Sequence, residues 1–261
     1  MNPPEHAPSP SDALIDRATE PMSPRTRPIS LGSDESRLSP HVIFAPLFWA
    51  WFRATTSEER EWYYPTGPAV VSVAGIDPVR ILVIGDGPAA GCGVLTHHLG
   101  LAGHLARHVS DRVGRGVVVK VAAQPDASAR STLKQLGRID LDGYDAIVLM
   151  LATTDAFCLT PRSSWRRSMT RLVGALQSTQ TSVFVTSISH MDLARSLSPF
   201  ARMLTGSHAR LLNAETSRIC EEYRTPMIRL DAANDLVPRT YATWARRIGA
   251  HIVESVHERR A

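Results

Sequence analysis

Apolar and polar positions alternate in two registers through the C-terminal two-thirds of this chain. Short runs at residues 79–84, 116–122, 146–151, 182–187 and 227–230 have strand length and are rich in β-branched side chains. Helical spacing fills the gaps. Leu95, Leu99, Ala102, Leu105, Val109 and Val113 recur every three or four residues, as do Trp165, Met169, Leu172 and Leu176. Leu204, His208, Leu211 and Ile219 repeat more loosely, and Tyr241, Trp244, Ala245, Ile248, Ile252 and Val256 form the cleanest stripe. Strand and helix in alternation predict an α/β domain, a parallel sheet covered by helices on both faces. In such sheets ligands bind beyond the carboxyl ends of the strands. That rule gathers Asp86 and Gly87, Gln124 to Asp126, Ala152 to Asp155, Ser187 to His190, and Asp231 around one crevice.

The pattern stops at about residue 69. Residues 1–40 hold 8 of the 18 prolines and 7 serines with few large apolar groups. Such a segment buries too little surface to offset its ordering entropy, so a disordered tail is expected. Residues 42–52, VIFAPLFWAWF, are the longest apolar run. A bilayer span needs about 20 residues. The run reads as a helix docked on the folded part within a 41–68 connector, with contact to a membrane surface through Trp49 and Trp51 as the weaker reading; its polar face lacks the usual lysines and arginines. The folded domain is then 69–261.

Composition narrows the setting. The formal charge of +4 is scattered, which gives no indication of nucleic-acid binding. The three cysteines, Cys92, Cys158 and Cys220, show neither disulfide nor metal spacing. No basic leader runs directly into an apolar stretch. The expectation is a soluble cytoplasmic protein without a cofactor.

The first strand runs into ILVIGDGPAAGCG, and the blocks IVLMLATTDAF, GSHARLLNAE and PRTYATWARRI follow in order. In this order and on these elements the domain resembles the SGNH/GDSL hydrolases, a superfamily of esterases and lipases. The resemblance covers roughly two-thirds of the chain. It implies a flavodoxin-like three-layer α/β/α sandwich with a five-stranded parallel sheet. It also implies positions for the reaction, and here each is replaced. Gly87 stands for the serine nucleophile and Asp126 for an oxyanion-hole glycine. Thr154 stands for the oxyanion asparagine, Val237 for the base histidine, and no histidine occurs between His208 and His251. Glycine cannot attack an ester, and nothing at position 237 can carry its proton. The expectation is an inactive relative that binds a small ligand or a protein partner through Asp86, Gly87, Asp126, Thr154, Asp155 and His190.

Substitute chemistry was sought among the remaining groups. His190 is the candidate base, and Ser128, Ser187, Ser189 and Cys92 are candidate nucleophiles; Cys92 is placed near the N-terminus of the first helix, flanked by glycines that suit a packing role. Asp86, Asp126, Asp155 and Asp231 offer oxygen ligands to a hard cation, but no metal is expected. His97, His98, His104 and His108 fall on the first helical pattern, without the acidic or thiol ligands a zinc site wants. Arg162, Arg166, Arg167 and Arg171 make two rows on one helix, read as an exposed face open to an acidic partner or a phosphate.

Overall fold

A computed structural model describes residues 63–189 and 198–259 of the chain. The expected tail, the apolar run at 42–52 and His190 lie outside them. Strands β1 (Val70–Val73), β2 (Val79–Gly85), β3 (Val117–Ala123), β4 (Ala146–Met150), β5 (Ser182–Thr186) and β6 (Met227–Ile228) form one sheet in the order β1-β3-β2-β4-β5-β6. Five are parallel, and β1 runs antiparallel to β3 with Val70 opposite Lys120. The sheet therefore has six strands where five were expected. The addition is an edge strand of four residues whose Val70 faces solvent, too short and too exposed on one side to stand out as an apolar run.

The helices are α1 (Gly87–Ala90), α2 (Leu101–Val113), α3 (Ala129–Gln135), α4 (Thr153–Phe157), α5 (Arg162–Gln177), α6 (Pro199–Glu222) and α7 (Pro238–Glu258). On β2, Ile81 and Val83 enter one core with α2 and α7, while Leu82 and Ile84 enter a second core with α3, α5 and α6. Successive strand residues point to opposite faces. A strand buried on both faces must be apolar throughout, which is why these runs do not alternate. The stripe from Tyr241 to Val256 lies wholly buried on α7. Among the described residues no helix is long and apolar enough to cross a membrane.

Two helical readings need correction. The first long helix begins at Leu101, after Gly100, so Leu95 and Leu99 lie in the preceding turns and are exposed. His97 and His98 belong to the same turns, not to the helix. Leu211, on α6, also faces solvent.

Candidate functional site

The turn after β2 is built by its own backbone. Asp86 precedes the single turn of α1, which closes through Ala90 N–H to the Asp86 carbonyl and Cys92 N–H to the Gly87 carbonyl. Cys92 thus follows the end of this short helix instead of sitting near a helix N-terminus. Asp86 is completely buried. Its Oδ2 accepts the Thr154 N–H at 3.2 Å, whereas Oδ1 has no hydrogen-bond partner. Burial pushes its carboxyl up to about 7, against the pull of the Thr154, Thr153 and Ala152 amides; the Asp155 charge adds to the rise.

A second segment lies across this turn. Gly93 N–H donates to the Tyr63 carbonyl at 3.0 Å. A Cβ on Gly91 would stand 2.7 Å from Pro65 Cγ, and one on Gly87 would stand 3.2 Å from Tyr64 Oη and 3.3 Å from the Pro125 carbonyl oxygen. The Tyr64 hydroxyl therefore stands over Gly87. Gly87 is buried beneath it. The Tyr64 hydroxyl and the Cys92 thiol lie close enough to act on one another. Burial raises the phenol, with Cys92 adding to it, and burial pushes the Cys92 thiol up to about 12. The Tyr241 hydroxyl donates to the Cys92 carbonyl at 2.6 Å and fastens α7 to the same turn.

The remaining strand-end residues divide by task. Asp155 is buried and accepts from Ala129 N–H at 2.8 Å and Thr160 Oγ1 at 2.7 Å, so it ties the βα connections together and has no free oxygen to offer a ligand. Asp126 is exposed on its loop, and Thr154 is half-buried. Ala152 adopts φ +103°, the left-handed region that favours glycine. Asp231 pairs with Arg247 at 2.5 Å. Asp155 and Asp231 are thus engaged elsewhere, and among the described residues no three His, Cys, Asp or Glu side chains are grouped as a metal site. Val237 is the N-cap of α7, and its carbonyl accepts from Thr240 and Tyr241 N–H.

Two of the candidate nucleophiles are committed too, while Ser189 lies half-buried just beyond β5. Ser128 caps α3 in a reciprocal box with Ser131. Ser187 Oγ accepts Leu230 N–H at 2.9 Å. Arg162, Arg166, Arg167 and Arg171 are all exposed, as expected, and from that face Arg162 also donates to the buried Glu215 at 2.6 Å; Arg166 joins at 3.3 Å and Arg218 at 3.7 Å. Sequence reasoning missed Tyr64. Its only signal was the Tyr63-Tyr64-Pro65 triplet ahead of the first strand. A hollow of about 420 Å³ lies away from this chemistry, at the opposite end of the sheet, bordered by Ser182, Phe184, Pro226, His251 and Glu254.

No family model matches the sequence, and no curated protein matches it. Solved structures do resemble it. A lipase/acylhydrolase from Enterococcus faecalis is 17% identical, with a TM-score of 0.52 over 69% of this chain and 96% of its own. An acetyl xylan esterase from Geobacillus stearothermophilus is 13% identical, with a TM-score of 0.53 over 67% of this chain and 94% of its own. A lipolytic protein of the G-D-S-L family from Desulfitobacterium hafniense DCB-2 is 10% identical, with a TM-score of 0.52 over 66% of this chain and 98% of its own. Strand order, helix placement and these neighbours agree: the chain has the fold of the SGNH/GDSL hydrolases.

Proposed function

We propose that this protein descends from ester hydrolases but does not hydrolyse esters, and that it binds a small ligand or a protein partner at the strand-end crevice. One observation carries the reading: a phenol stands over Gly87, the residue that the family resemblance puts in the nucleophile's place. Losing a nucleophile or its base lowers the rate of a comparable serine hydrolase by roughly a million-fold. Losing one oxyanion donor costs on the order of 100- to 1,000-fold more. The competing reading, a relocated nucleophile, finds little support in Ser128 and Ser187, which hold backbone N–H groups, or in Cys92, whose thiol is buried and protonated at neutral pH, and rests on Ser189, half-buried just beyond β5. Incubation with a fluorophosphonate probe beside an active SGNH esterase tests the proposal. No adduct is expected while the control labels. One stoichiometric, heat-sensitive adduct would overturn the proposal and locate the nucleophile by peptide mass spectrometry.

A further inference from the structure

The arrangement above Gly87 has the form of an occupied binding site. Its floor is a residue without a side chain, and one wall is the Pro125 carbonyl oxygen, 3.3 Å from where a Cβ would be. Another wall is the Cys92 thiol, which lies close enough, with the Asp86 and Asp126 carboxyls, to act on the occupant's hydroxyl. Asp86 Oδ1, fully buried, still lacks a hydrogen-bond donor. A buried acceptor left unmatched calls for a donor group or a water. The occupant is a phenol, brought in by the three-residue strap Tyr63 to Pro65.

We propose that the space above Gly87 is a subsite for a hydroxyl-bearing aromatic group, kept closed by Tyr64 acting as the chain's own ligand. This rests on the non-catalytic reading of the crevice and names the ligand chemistry of that site. The phenol is tethered, so its local concentration is far above that of a free competitor. A ligand of the crevice therefore gains entry by displacing residues 63–65, and the displacement is the event a partner would sense. The serine-to-glycine replacement takes on a second meaning, since it clears the ground on which the tyrosine rests.

The test uses the full chain and p-cresol, the side chain of tyrosine as a free molecule. Tyr64→Ala is expected to bind p-cresol saturably, read by ligand-observed NMR and by a rise in Tm, while the wild-type protein does not. Toluene, which lacks the hydroxyl, should bind at least about tenfold more weakly, the worth of one buried hydrogen bond. A folded Tyr64→Ala protein that ignores p-cresol, or takes toluene equally well, overturns the proposal. So does equal binding by the wild type. Should Tyr64→Ala not fold, nitration of the wild type decides: Tyr63, 53% exposed, should react with tetranitromethane well before Tyr64. Equal rates would show that Tyr64 is not seated. The fluorophosphonate result stands apart, because labelling would end the non-catalytic reading whether or not p-cresol binds.

Discussion

Replacing Asp86 by asparagine should change stability in a way that depends on pH. The folded carboxyl is raised from 3.8 to about 7, chiefly by burial, so it keeps its proton where the unfolded one has already lost it. Protonation therefore favours folding. This contribution is complete below about pH 4 and is lost as pH rises through about 7. Three units correspond to about 4 kcal/mol, an upper bound for one fully buried group. Asparagine matches the shape and stays neutral. Its carbonyl can accept the Thr154 N–H, and its amide fills the place of Oδ1, which has no partner to lose. Urea unfolding of both proteins between pH 4.5 and 8.5 gives the difference directly. Asp86→Asn should equal the wild type or fall below it at the acid end, then gain on it by about 2–4 kcal/mol toward pH 8. Parallel stability curves would refute the reasoning, because they would mean that the buried carboxyl ionises as freely as an exposed one.

Three further outcomes are expected. Gly93→Ala should destabilise the fold by at least about 2 kcal/mol in chemical denaturation, since φ is +81° and the added Cβ would lie 2.2 Å from the Leu236 carbonyl oxygen. Iodoacetamide at pH 8 should modify Cys158 first and spare Cys92 and Cys220 until guanidinium is added, because both spared thiols are buried and raised, to about 12 and about 11. Among the arginines on Glu215, Arg162→Ala should cost about 1–2 kcal/mol and Arg218→Ala under about 0.5 kcal/mol in urea unfolding, following their separations of 2.6 and 3.7 Å from a buried carboxylate.

The parallel strands were legible because a strand buried on both faces has to be apolar at every position; β4 satisfies that rule along its whole length, and β2 does so from Ile81 onward, past the exposed Arg80. β1 was not legible, because an edge strand with Ser72 and an exposed Val70 makes no such demand. Leu95 and Leu99 kept helical spacing by coincidence. Spacing alone could not show that the helix waits for Gly100, and both side chains end in solvent. Asp86 and Gly87 were found from topology, since the end of a central strand can be located before any contact is known. Asp155 was found the same way, although its oxygens turn out to bind the fold itself. Tyr64 escaped because it comes from outside the strand–helix repeat and meets Gly87 and Cys92 only through tertiary placement. The ion pairs of Glu215 were hidden for the same reason: arginines on α5 mark a charged face until α6 places a buried carboxylate beneath them.

The bond from the Tyr241 hydroxyl to the Cys92 carbonyl joins residues 149 positions apart. On the ribosome, the glycine-rich turn therefore emerges long before the helix that fastens it. While α7 is still being made, that turn is held by its local bonds, by the bonds of Asp86 to Met150 and Thr154, and by the strap. That fastening is thus added only once Tyr241 has been made. A premature stop ahead of Tyr241 would leave strands β1 to β6 encoded in full and the site unfinished.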